Sequence, residues 1–502
     1  MPNDYAQPPG ALGDIPSDVV RSSLHRMADW VADYRDTLEQ RSIAPGTRPG
    51  EIAGHYPLEL PEGAESLDTL FGELDSIVAP GVVHWGHPSF LGYFGSTSNG
   101  AALLGEIAAA ALNVNAMTWR TSPAATELET LVVGWIRRMI GVPDTFTGIV
   151  YDTASVGVLH ALTAARERCA RQVRQLGIAG RDDVPTCRVY ASDQAHSSVD
   201  KAMIVLGLGE QNVVRVPSDA EFRLDVAALR AAMEADRRTG MTPLAVIATI
   251  GTTSTASVDP VASIAAACRE MGAWLHVDAA YGGALGVLPE GRWALGGVEH
   301  ADSMVVNPHK WLFVPLDFSV LYTRHPALLR SVFSLTPEYL RGDAAADAAN
   351  GGAAIDYMDY GLQLGRRFRA LKAWMVLRAF GRAGIAARIR EHLRLARLWA
   401  QWVEDDPSFF LAAPVSMGVV CFRFAPAGMG EAACDELNES VAAAVNASGE
   451  TYLTHTSLRG RVVMRIGLGN ILTTERHLAR AWECVRREAG RAAGSGAVSR
   501  RR

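Results

Sequence analysis

The stretch DSMVVNPHKW, Asp302 to Trp311, runs from four strand-like residues into a lysine flanked by Pro308-His309 and Trp311-Leu312-Phe313. A lysine in a surface loop is the ordinary case. An apolar strand before it and large apolar residues after it make a poor setting for a solvated ammonium, and desolvation favours the neutral, nucleophilic amine. Upstream, AWLHVDAA (Ala273–Ala280) ends another apolar run on Asp278. An isolated buried carboxylate is costly, so an acid in that place implies a partner.

Around these two segments the chain alternates short apolar runs with helical patterns. TGIVYDT, CRVYASD, NVVRVPS, PLAVIATIG, AWLHVDAA, DSMVVNP and FSVLYT read as buried strands. Helices are expected between several of them, over Ala154–Leu176 before Gly177 and Val261–Met271 before Gly272. SPAATELETLVVGWIRRMIGVP carries a full set of helix signals: Ser122 as cap, Pro123 at the first position, Arg137 and Arg138 late, then Gly141. Alternation of this kind implies an α/β fold with a mainly parallel sheet covered on both faces. The expected division is a helical N-terminal segment (1–97), a large domain (98–373), a small α+β domain (374–490) and a disordered tail (491–502). The first segment has helical patterns at SSLHRMADWVADYRDTLEQ and SLDTLFGELDSIV but too few apolar residues for its own core, so it is expected to wrap a second subunit.

The 502 residues are 48% hydrophobic and 20% charged with a net charge of −6, ordinary for a globular protein and no invitation to nucleic acid or anionic membrane. AALLGEIAAAALNVNAM is broken by Glu106 and two asparagines, too polar and short to span a bilayer. The N-terminus has neither a basic start nor an apolar stretch, so no signal peptide is expected. Six cysteines lie scattered without metal-like spacing, which suits reduced thiols in the cytoplasm. No metal site is expected.

Ligand residues of open α/β sheets gather at the carboxyl ends of strands. Lys310 and Asp278 in that place fit pyridoxal phosphate: the amine condenses with the aldehyde, and the acid keeps the pyridine nitrogen positive. Three further strand ends carry polar residues. TGIVYDTAS leads into a helix at Ala154-Ser155, which reads equally as an ordinary cap or as a phosphate site. ATIGTTSTAS clusters hydroxyls, with Thr253 the expected phosphate contact, and ASDQAHSSVDKA places His196 where it can stack on a flat ring.

The ordered series HPSFLGYF, TWRTSPAATELE, DTAS, SDQAHSSVDKA, ATIGTTSTAS, HVDAAYGG, NPHKW, TPEYL and LGRRFRALKAW resembles the pyridoxal-phosphate-dependent aromatic L-amino acid decarboxylases of the group II decarboxylase family, over roughly residues 20–488. The resemblance implies the aspartate-aminotransferase-like fold (fold type I) and a homodimer. Lys310 would bind the cofactor covalently, Asp278 would pair with its ring nitrogen, and His196 would lie over the ring. Ala154, Ser155, Thr253 and Asn307 would surround the phosphate, Ala280 would pack on the ring and His309 would line the site. Tyr339, on a loop reaching the partner's site, would protonate Cα after CO2 leaves. Trp85, Tyr93 and Phe94 would shape the side-chain pocket.

Some positions depart from the family pattern. Tyr151-Asp152 replaces a Gln-containing turn, Val156 replaces a Glu, and Gly95 replaces a Pro. Asn115 and Met117 stand at pocket positions donated by the neighbouring subunit and commonly apolar and aromatic. With Gly365, the smallest possible residue near the expected substrate ring, these changes favour a bulky indole, tryptophan ahead of tyrosine or phenylalanine. An aldehyde synthase of the same family typically loses the loop tyrosine or alters the stacking histidine; keeping both Tyr339 and His196 favours plain decarboxylation. An acidic-amino-acid decarboxylase would want polar groups at Tyr93, Phe94 and Met117. An inactive binding paralogue would have lost the lysine. Arg465, placed like the carboxylate-gripping arginine of aminotransferases, reads as structural.

Overall fold

The computed structural model describes residues 12–170, 172–335 and 354–499, with side chains as far as 494. All seven expected strands are present: β1 (Thr147–Tyr151), β2 (Cys187–Ser192), β3 (Val213–Val216), β4 (Thr242–Thr249), β5 (Trp274–Asp278), β6 (Ser303–Val306) and β7 (Ser319–Thr323). They form one sheet in the order β1-β7-β6-β5-β4-β2-β3. β7 is antiparallel to both β1 and β6, and the remaining pairs are parallel. Both faces are covered. Along β4, Val246 and Ala248 enter one core while Ala245 and Ile247 enter the other, which is why the strand reads as a continuous apolar run.

Helix α1 (Ser17–Asp36) buries no residue, as its sparse apolar pattern implies. The chain then docks on the small domain through Ile43 N–H to Gly449 O (3.1 Å) and Leu91 N–H to Tyr452 O (2.8 Å). Helix α2 (Gly100–Leu112) precedes α3 (Pro123–Ile140), whose Ser122 hydroxyl accepts the Ala125 N–H and whose end is closed by Gly141 at φ +83°. The helix expected over 154–176 is shorter: α4 (Ala154–Cys169) stops where Ala170 turns extended, Gln172 adopts φ +66°, and Val173–Leu176 forms a separate turn. Helical periodicity survives that kink, so the sequence does not reveal it. The Val261–Met271 helix ends at Gly272, φ +70°, as expected.

The small domain pairs β8 (Phe409–Leu411), β9 (Val419–Phe424), β10 (Thr454–Leu458) and β11 (Arg461–Gly467) in an antiparallel sheet, order β10-β11-β9-β8. The helical stretch Arg369–Asp405 leads into it and is interrupted at Gly381, φ +60°. The final helix runs from Glu475 to Ser499, beyond residue 490 and into the stretch read as a disordered tail. Glu488, paired with Arg487 and Arg491, extends helical support past that boundary. Among the described residues no helix is long and apolar enough to cross a membrane.

One buried ion pair ties the segment after residue 354 to the sheet. Arg366 Nη2 donates to Glu129 Oε1 (2.6 Å) and to Val150 O (2.9 Å), while Val150 N–H donates to the same Glu129 oxygen (3.1 Å). Removing the acid leaves an uncompensated buried guanidinium. Glu129→Ala should therefore lower the unfolding free energy in urea by about 3–5 kcal/mol, and a change within error would show that the pair contributes nothing.

Candidate active site

The carboxyl ends of β1, β2, β4, β5 and β6 open on one cavity of about 200 Å³. Ten of the residues picked out in the sequence line it: Phe94, Ala154, Ser155, His196, Thr253, Asp278, Ala280, Asn307, His309 and Lys310. Larger depressions, among them one of about 840 Å³ beside Trp119–Leu131 and one of about 670 Å³ beside Phe410–Pro414, bring together no comparable set of reactive groups.

Lys310 sits on a single helical turn, Pro308–Trp311, that leaves β6 through Asn307. Its own N–H donates to Asn307 O (2.9 Å), and Asn307 N–H donates to Ala280 O (3.0 Å), so the lysine turn is stitched to the loop after β5. The amine lies 4.7 Å from the centre of the Phe94 ring. Burial pulls its pKa down, opposed by Asp278 and reinforced by Arg465. Asp278 is 7% exposed, and its Oδ1 accepts the Ala280 N–H (3.0 Å), which aims the carboxylate into the cavity wall.

Histidines surround this pair in different states. His196 is exposed, and its Nδ1 accepts the Ser198 N–H (3.1 Å), which fixes the ring. His309 accepts the Phe318 N–H on Nδ1 (3.0 Å), and burial pushes its pKa down to about 3. His276, two residues before Asp278 on β5, shares the Ser303 hydroxyl with Trp274 and is lowered by burial to about 4.

A phosphate would find donors at the start of α4. Val156 and Gly157 N–H groups already turn back to Thr153 O, while the Ala154 and Ser155 amides have no backbone acceptor. In the hydroxyl cluster after β4, Thr252, Thr255 and Ser257 bond one another, and Thr253 alone stays exposed to the cavity. Thr249 Oγ1 and Asn307 Oδ1, both buried on the wall, have no partner among the described residues. A small apolar floor at Ala280, an acid, an amine and donor groups at a helix start fit pyridoxal phosphate.

The sequence reading passed over Thr153, Thr249, Gly251 and Tyr281, which also line the cavity. Thr249 is the polar residue closing the PLAVIAT run, a signal that was available; Tyr281, stacked on Trp311 at 4.6 Å and against Phe94 at 4.1 Å, looks like ordinary core. Trp85 and Tyr93 stand beside the cavity, not on it. They stack on each other at 5.3 Å and stay 38% and 49% exposed. Gly95 approaches the Gly469-Asn470 backbone. Asn115, Met117 and Gly365 form a separate cluster: Asn115 Nδ2 contacts Met117 Sδ at 3.5 Å, and Asn115 Oδ1 accepts the Arg366 N–H at 3.0 Å. Tyr339 and the loop Arg341–Gly352 lie outside the described residues.

Residues 49–425 match the pyridoxal-dependent decarboxylase conserved domain. The chain belongs to the pyridoxal-dependent decarboxylase family. This decarboxylase is a carboxy-lyase that uses pyridoxal phosphate. It is 37% identical to tryptophan decarboxylase 1 of Oryza sativa subsp. japonica, over 94% of each chain. It is 36% identical to phenylacetaldehyde synthase of Arabidopsis thaliana, over 95% of this chain and 97% of that one. Its fold superposes on the crystal structure of Oryza sativa TDC with PLP and tryptamine at a TM-score of 0.91, 36% identity and 96% and 99% coverage.

Buried neutral histidines make the decarboxylase sensitive to acid. His160, His276, His309 and His392 are all held at about 3 to 4 by burial, below the unfolded value near 6.5. Between those limits the unfolded chain binds more protons, so stability is full above pH 6.5 and falls as pH drops towards 4. Each histidine should contribute on the order of 1 kcal/mol per pH unit in that window. Urea unfolding at pH 7.5 and 5.0 measures the slope; equal free energies would contradict these assignments.

Proposed function

We propose that this decarboxylase removes CO2 from an aromatic L-amino acid, tryptophan ahead of tyrosine, phenylalanine or their hydroxylated derivatives, and releases the arylalkylamine. The observation that carries the reading is the half-buried Lys310 amine sharing one cavity with the buried Asp278 carboxylate, past the ends of neighbouring strands and 4.7 Å from the centre of the Phe94 ring. Bound pyridoxal phosphate supplies a positively charged ring that accepts the electrons of the bond to the departing carboxylate.

The residues divide the work as follows. Asp278 keeps the ring nitrogen protonated, and Ala280 and His196 would contact the ring. Ala154, Ser155, Thr253 and Asn307 hold the phosphate. Lys310 would hold the cofactor through its amine, the nucleophile placed in the cavity. Tyr339 delivers the proton that replaces CO2 at Cα.

The substrate preference rests on space. A side chain added at Gly365 would meet nothing nearer than Asn115 Nδ2 at 3.9 Å, and Met117 is adaptable. A relative named for tryptophan decarboxylation and one named for phenylacetaldehyde synthesis are almost equally similar, so identity does not separate amine from aldehyde. His196 and Tyr339 favour the amine. The cluster of Asn115, Met117 and Gly365 stands apart from the cavity and α1 buries nothing. Both fit a homodimer in which each subunit completes its partner's pocket. Domain boundaries near residues 98 and 374 and a cytoplasmic location, on the six unpaired cysteines, complete the reading.

Incubation with all proteinogenic amino acids plus dihydroxyphenylalanine and 5-hydroxytryptophan, with products identified by mass, should yield tryptamine first; production of an aliphatic or acidic amine alone would overturn the assignment. Lys310→Ala should abolish turnover and the visible absorption of bound cofactor, and undiminished turnover would remove Lys310 from its role. Tyr339→Phe should keep cofactor binding and CO2 release while diverting product towards aldehyde and peroxide. An unchanged amine yield would take the proton-donor role from Tyr339.

A further inference from the structure

Arg465, in the middle of β11, is 4% exposed and has no carboxylate partner among the described residues. Its Nε donates to Ser254 O (3.1 Å), Nη1 donates to Tyr93 O (2.7 Å), and Nη2 is buried without a partner among the described residues. One side chain of the small domain thus holds two loops of the cavity: the one carrying Thr253 and the one carrying Phe94.

The second loop needs holding. Tyr93 adopts φ +52°, a left-handed conformation that costs a non-glycine residue about 1–2 kcal/mol. Its carbonyl is gripped by Arg465 and lies where Gly467 has no side chain; a Cβ there would come within 2.3 Å of it. The turn sets the direction of the next residue, Phe94. That ring carries Lys310 Nζ at 4.7 Å and Arg465 Cζ also at 4.7 Å, so two cations share one aromatic face system.

The charges facing the lysine amine are few. Asp278 on β5 favours its protonated form, and His309 beside it is kept neutral by burial. His196, across the cavity, is also pushed towards its neutral form. Arg465 is the standing positive charge that opposes Asp278.

We propose that Arg465 is a positioning residue for the decarboxylation. It fixes the Tyr93–Phe94 turn against Lys310, and its unpaired charge favours the neutral amine. The proposal rests on Lys310 being the cofactor's lysine, and it corrects the reading of Arg465 as merely structural.

The test separates hydrogen bonds from charge. In full-length protein freed of cofactor, the rate of Lys310 acetylation by acetic anhydride is followed against pH by peptide mass spectrometry. Arg465→Gln should move the midpoint alkaline by about one pH unit. Arg465→Lys keeps the charge and should keep the midpoint, while raising KM on the reconstituted enzyme about tenfold through loss of the two-loop grip. Gly467→Ala, which displaces the Tyr93 carbonyl and leaves the charge, should raise KM without moving the midpoint. An unmoved midpoint in folded Arg465→Gln overturns the electrostatic role. Unchanged KM in Arg465→Lys and Gly467→Ala overturns the positioning role, whether or not Arg465→Gln folds. Failure of the lysine assignment itself would appear separately, as an active Lys310→Ala.

Discussion

A lysine amine and a buried carboxylate brought to one cavity are the constraint around which this fold is arranged. Burying a charge without a partner would cost several kcal/mol. Placing them past the ends of β5 and β6, neighbours in parallel register, lets the Asp278 charge favour the protonated lysine while burial opposes it. The remaining demands are met locally. The Ala280 N–H satisfies one oxygen of Asp278, and the Phe94 ring lies against the amine. The ends of β4, β5 and β6 must then meet closely, and this is where glycine is required. Gly251, at φ +86°, passes so near the start of the next loop that a Cβ would lie 2.9 Å from Gly282 N.

Strand positions were legible because strands buried on both faces must be apolar throughout and must end in turn-forming residues. The order of those strands was not. Nothing in FSVLYT distinguishes a strand that runs against its neighbours from one that runs with them, since direction is set by the connection after Lys310 and not by the strand's own residues. Helix ends were legible where a left-handed glycine closes them, as at Gly141 and Gly272, and illegible at Ala170, where no such residue stands.

Charged residues in apolar surroundings gave the site away, and uncharged ones hid in it. Lys310 and Asp278 contradict their neighbours, so their places call for explanation. Tyr281 agrees with its neighbours and was invisible, although it packs against both Phe94 and Trp311. Arg465 is the instructive case between. It interrupts VVMRIGLG as sharply as Asp278 ends AWLHV, yet a strand with one solvated face can carry an arginine there, and only the structure shows it buried.

The lysine's tether has a mechanical consequence. Twelve residues separate Val306 from Ser319, and both strands lie inside the sheet, β6 between β5 and β7, β7 between β6 and β1. The turn bearing Lys310 is therefore held at both ends by interior strands of the sheet, while the Tyr93–Phe94 turn belongs to a segment outside the sheet. Opening free energies in a protein rise from its periphery to its central strands. By that gradient the Lys310 turn opens with the sheet itself, after the segment that brings Phe94 against it.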